Sequence, residues 1–364
     1  MKGQIMKNKS TPRFVLSCLS IVLAFAVQSL SAQTAITTWV APGGGDWFSS
    51  TNWDPGLPAT STDAFINNGG TAKVEGFQAT AGSLTLGNNV SESGNVTVDG
   101  TNGGFLSVGP CSDCNAASAA GSIYVGNGGS GTLSISHGGR VVSDGYAYIA
   151  LLGDGVAGGV NSNGAVTVDG AGSTWTLGGT LPRLFIGGSN SGNLEGGTAL
   201  LSVTNGGVVT VNSPPMAGAF AISVGISGTV TGNGTITANG ASLNSRRVIV
   251  NGTLAPTGTL HLNGNLVLVS RATMLCSVTP GAADRVDVSE TATLGGRLSV
   301  MMGGTFTPGV TRYTLLYAAG GRDPNALFFG SVSIKYPTDQ GFTPHITYDG
   351  NYAYLDLVFE QGGL

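Results

Sequence analysis

Residue types able to do chemistry are few in this chain and widely spaced. Past residue 35 its cysteines are Cys111, Cys114 and Cys276. Cys111-Ser112-Asp113-Cys114 lies in a Gly/Ala/Ser-rich loop, away from the βαβ setting of a redox motif. In an exported chain this pair is expected to form a small loop-tip disulfide; free thiols and zinc are the alternatives, and zinc lacks a second CxxC or an HxxxH to complete its ligands. Cys276 falls in the strand-like MLCSV and reads as a buried apolar residue, not a nucleophile. His137, His261 and His345 sit in separate segments, none beside a Ser or Cys it could activate, and Gly225-Ile226-Ser227-Gly228 lacks the GxSxG spacing.

Paired carboxylates on one exposed face would suit glycan cleavage. Asp99 and Asp169 occupy equivalent places in two related segments, but each precedes glycine, where an Asp side chain bonds the turn backbone. Asp284-Arg285-Val286-Asp287 is the densest charge cluster; strand alternation puts Arg285 and Asp287 on one face, as expected of a local ion pair. Asn127–Thr132 and Gly153-Asp154-Gly155 are fragments of a calcium-binding repeat, too incomplete for regular calcium binding. Arg246-Arg247 is an isolated basic pair that reads as a solvated corner. No cofactor motif occurs, so no cofactor and no catalytic residue is expected.

Three tryptophans, Trp39, Trp47 and Trp53, stand in the Gly/Pro/Ser/Asp-rich stretch 37–70. A loop-rich cap over the open end of a stacked sheet is the first reading. An aromatic platform for glycans, formed by these indoles, is the second.

The elements that must position all these residues are short strands. GAVTVDGAGSTWTLGG (164–179) repeats GNVTVDGTNGGFLSVG (94–109): an alternating strand, an Asp-Gly corner and a second strand with one aromatic, Trp175 or Phe105. The segment 122–142 is echoed at 184–211. Val alternating with Thr gives a strand one dry and one wet face. Asn-Gly and Asp-Gly corners supply positive φ. Self-similarity at this scale favours a solenoid over a sandwich or barrel. With about 20 residues per coil, some fifteen coils are expected.

Composition agrees. The 364 residues include 61 Gly without a Gly-X-Y period, 9% charged and 41% hydrophobic residues, which excludes collagen and disorder. Lys2, Lys7, Lys9 and Arg13 precede the apolar run 14–27 and the small residues 29–33, the layout of a secretory signal peptide cleaved near Ser31 or Ala32. Loss of those four cations from 15 leaves 11 against 19 acidic residues, a net charge of about −8. Nucleic acid and anionic lipid are therefore not expected as partners, and the mature chain carries no apolar run long enough for a membrane span.

The opening W…GDW…NWDPGLP…DAFI, the central GTLSISHGG and VTVDGAGSTWTLGG, the later VNGTLAPTGTLHLNGNLVL and DRVDVSETATLGGRLSV, and the closing YTLLYAAGGRDPNALFFGSVSI…PHITYDGNYAYLDLVF (313–359) resemble passenger domains of bacterial autotransporters and related secreted proteins with autotransporter-associated β-strand repeats. The resemblance spans the mature chain. It implies an all-β fold, a single-stranded right-handed parallel β-helix with an N-terminal cap: signal peptide 1–32, cap 33–70, solenoid repeats 71–300 and a passenger-like end 301–364. It also implies a secreted or outer-surface location on a Gram-negative-type bacterium, and a structural or adhesive role toward glycans, extracellular matrix or neighbouring cells. A polysaccharide lyase or hydrolase, and a filament subunit joined end to end through 348–359, are the alternative readings. A full autotransporter continues into a membrane barrel of at least eight strands of about 9 to 11 residues. Only 16 residues follow Tyr348 here, so a barrel-less secreted relative or a shortened chain is expected, with YAYLDLVF as an open edge.

Overall fold

The computed structural model describes residues 35–109, 121–151, 162–179, 182–188, 196–213, 220–307, 312–338 and 340–359, all within the compact unit that begins at Thr34. The signal segment, Cys111, Cys114 and Gly153–Gly155 lie outside the described residues.

This unit is all-β. The chain visits three sheets in turn, and each strand pairs with the strands of the same sheet one coil earlier and one coil later, almost always in parallel. The strand Ser130–Ser136, for example, lies between Ser93–Asp99 and Asn163–Asp169 in unbroken register. That is the topology of a parallel β-solenoid. Strands of the first sheet begin at residues 62, 83, 123, 147, 184, 222, 247, 265 and 292, so a coil takes between 18 residues (247 to 265) and 40 (83 to 123). The coils are thus longer on average and fewer than a 20-residue repeat predicts, because the stretches joining the sheets are lengthened, both between the first and second sheets (149 to 163) and between the third and the first (108 to 123).

Alternation sets the core. In Val96-Thr97-Val98 the valines point inward with no exposure, and the register stacks Val96 on Leu133 and Val166, and Val98 on Ile135 and Val168. Each such side chain contributes about 1.5–3 kcal/mol on burial, and the column continues through Leu201 and Val203. Glycine enters where backbones meet: a Cβ at Gly94 would stand 1.8 Å from the Ile66 carbonyl oxygen.

The related segments 94–109 and 164–179 are two coils apart, with residues 130–143 between them. Their aromatics are not equivalent. The corner after Asp99 is Gly-Thr-Asn-Gly-Gly, one residue longer than the Gly-Ala-Gly-Ser corner after Asp169, and a one-residue shift turns a strand's side chains to the other face. Arg140 therefore pairs with both Phe105 and Thr174, while Val141 pairs with Leu106 and Trp175. Phe105 faces outward beneath the Arg140 guanidinium, 5.3 Å from its ring centre, whereas Trp175 is wholly buried.

The tryptophan-rich stretch forms the first coil of the stack. Ala35–Trp39 and Gly44–Asp46 begin the first and second sheets in parallel pairing with the next coil, and Trp53–Asp54 turns back antiparallel against Trp39 to cover the first sheet's edge.

At the other end the direction reverses. Tyr352–Phe359 is antiparallel to Arg312–Ala318 on one side and to Phe342–Tyr348 on the other. YAYLDLVF is therefore not the open edge; Phe342–Tyr348 is, and it carries Pro344. Arg322, 9% exposed, fastens this end: its guanidinium donates to the Asp349 and Leu327 carbonyls between the rings of Phe328 and Tyr348.

The buried face predicts its own mutational contrast. Trp175→Ala should cost about 3–5 kcal/mol, while Thr176→Ala on the wet face should stay within about 0.5 kcal/mol, both read by chemical denaturation. Equal effects would contradict the assigned facing.

Candidate functional site

The two carboxylates with matched positions prove to be parts of a corner ladder. Asp99 and Asp169 both flank Ser136 in the second sheet, one coil away on either side. In the coil after each Asp, the corner residue adopts a left-handed backbone, His137 at φ 52° and Asn205 at φ 52°, followed by glycine. That conformation turns its side chain back toward the preceding carboxylate. His137 Nδ1 lies 2.9 Å from Asp99 Oδ2, and Asn205 Nδ2 donates to Asp169 Oδ1 at 2.8 Å, joined by the Thr204 hydroxyl at 2.6 Å. Hydrogen bonds from the Thr101 side chain and backbone, and then from His137, hold the Asp99 carboxyl below its ordinary range. Those from Thr204 and Asn205 do the same for Asp169. Both carboxylates serve the turn, and the alternation of Asp-Gly corners with His/Asn-Gly-Gly corners accounts for a sequence echo that spans two coils.

Other residues singled out by type are also taken up by structure. Asp284 accepts from the backbone N–H of Gly258 at 2.6 Å and of Ser277 at 2.9 Å. Arg285 and Asp287 pair on one face at 2.6 Å, with His261 at 3.9 Å. His345 stands opposite Asp356 on the terminal hairpin. Arg246 is not a solvated corner: it pairs with Glu290 at 2.6 Å and donates to the Gly240 carbonyl. Cys276 is 2% exposed, and burial, with Asp284 nearby, pushes its thiol pKa up. Asn127 spends its amide on Asn88, and among the described residues no group of three His, Cys, Asp or Glu is placed to hold a metal ion.

The three tryptophans do not form an exposed aromatic platform. Trp39, Trp47 and Trp53 are 1%, 2% and 3% exposed. Trp53 meets Trp39 at 5.0 Å and Trp47 at 4.8 Å, both edge to face, and its indole donates to the Trp47 carbonyl. No indole face remains for a sugar. Farther along, Tyr124, Tyr148 and Phe185 stack on the outer face of the first sheet at 5.2 and 5.0 Å, nearly parallel. There the faces are spent on one another.

Beside the buried indoles, however, is a cleft of about 440 Å³ lined by Asp46, Phe48, Lys73, Glu75, Phe77 and Asn102. The first coils build it. Asp46 and Lys73 are register partners on adjacent strands, and Lys73 and Glu75 alternate outward about 7 Å apart. Phe77 follows at the corner and is 71% exposed, and Phe48 meets it edge to face at 5.6 Å. These residues come from three separate stretches of chain and match no motif, so the sequence carries no signal for the cleft.

Neither the known protein families nor the curated proteins contain a match to this chain.

Because the Asp169 carboxyl is lowered when folded, its contribution to stability is present above the ordinary carboxyl range and is lost as pH falls through the lower folded value. Asp169→Ala should therefore be less stable than the parent at pH 7, with the gap closing below about pH 4, as read from urea midpoints. A gap that widens in acid would contradict the ladder.

Proposed function

We propose that the chain is a secreted or cell-surface protein of the autotransporter-passenger type, wound as a single-stranded right-handed parallel β-helix, which acts by display and not by catalysis. The right-handed sense follows the general preference of parallel crossovers. The observation that carries the reading is the regularity of the outer face: Thr97, Ser134, Thr167, Ser202 and Thr231 form one outward column through successive coils of the second sheet, while Asp99, Asp169 and Asp284 are bound into turns. A repetitive hydroxyl-bearing surface suits broad, weak contact with glycans, matrix or neighbouring cells.

End-to-end filament growth is disfavoured by the exposed edges. Phe342–Tyr348 offers no N–H at Pro344, and the neighbouring edge strand Ser331–Lys335 ends in Lys335-Tyr336-Pro337; proline and lysine are the usual blocks to edge pairing.

The test is made with the exported protein. It should stay monomeric across a concentration series in light scattering, coat beads so that they adhere to matrix or cells, and release neither reducing ends nor unsaturated sugars from polysaccharides. Turnover of any polysaccharide would replace display with catalysis.

A further inference from the structure

The cleft of the first coils joins unpaired charges to an exposed aromatic ring. Lys73 and Glu75 are both exposed, and neither makes a side-chain hydrogen bond or ion pair among the described residues. They stand near each other without pairing, although the one is a cation and the other an anion. Asp46 on the adjacent strand uses one oxygen, Oδ1, to accept from the Phe48 N–H at 3.0 Å. Asn102, also exposed, adds an amide from the next corner. Across these polar groups lies Phe77, whose large exposure is expensive to leave in water, braced by Phe48, which packs partly against the core.

The chemistry of an occupant follows from this lining. Two carboxylates oppose an anion, and Lys73 between them opposes a cationic peptide. An apolar ligand would leave three charges and an amide without partners. A neutral pyranose satisfies every group: its C–H face lies on Phe77, its hydroxyls donate to Asp46 and Glu75, and they accept from Lys73 and Asn102. The volume is within the range of small-ligand clefts. We infer that this cleft is a binding site for neutral oligosaccharides, with Phe77 as the stacking face and Glu75 as the orienting acceptor. The inference deepens the display reading and rests on it, by giving the displayed surface one defined sugar contact.

The experiment titrates the exported protein with cello-, xylo-, chito- and maltohexaose by calorimetry. At least one is expected to bind saturably with one site per chain, and Phe77→Ala and Glu75→Gln should each weaken it about tenfold, equivalent to about 1.4 kcal/mol. Because both side chains are exposed, neither variant should shift the thermal unfolding midpoint. The site is overturned if none of the four sugars binds, if binding survives both substitutions, or if polygalacturonate binds in their place. Bead adhesion measured on the same variants separates the two claims. Adhesion without sugar binding removes the cleft and keeps the display reading; sugar binding without adhesion removes the display reading.

Discussion

Everything in this protein depends on one constraint: each coil must lay its inward side chains directly over those of the coil before it. Parallel register supplies this, since hydrogen bonding strand to strand fixes neighbouring coils about 4.8 Å apart. The consequence runs in both directions from the backbone. Inward, Val96, Leu133, Val166 and Leu201 merge into a continuous core. Outward, the same register lines up Thr97, Ser134, Thr167 and Ser202. A polar surface column and an apolar core column are thus two views of a single arrangement, and a chain with 9% charged residues has its outer face built largely from hydroxyls and amides.

The corners show how such a stack is kept in step. Strands alone would tolerate sliding, but Asp99 bonded to His137 and Asp169 bonded to Asn205 tie each of these coils to the next at a fixed turn. The left-handed backbone at His137 and Asn205 is what points each side chain back along the axis. The two ends need different devices, because an end coil has a neighbour on one side only. The first coil buries three indoles and turns a short strand back on itself. The last reverses direction into an antiparallel hairpin fastened by Arg322.

Much of this was legible in the sequence. Alternating Val and Thr with Asp-Gly and Asn-Gly corners announced stacked strands, and the glycine after Asp99 and Asp169 marked those residues as turn formers. What could not be read was facing and proximity. Phe105 and Trp175 occupy the same place in aligned segments, yet one extra corner residue sends the first outward and the second into the core. A platform was only the second reading of the tryptophans, suggested by their polar surroundings, and it fails because the polar residues are turns and the indoles fold beneath them. The cleft was invisible because Asp46, Lys73 and Asn102 are brought together only by coil stacking.

Coil stacking is therefore the claim to test, and one distance tests it most directly. Asn95, Thr132, Ala165, Leu200, Thr229, Thr253 and Thr273 form an outward column of six successive pairings. Spin labels at positions 95 and 273, measured by pulsed dipolar spectroscopy, should give one narrow distribution centred near 29 Å, six spacings of about 4.8 Å. A broad distribution, or a mean far from that value, would contradict the stacked register on which the core, the outer columns and the cleft all rest.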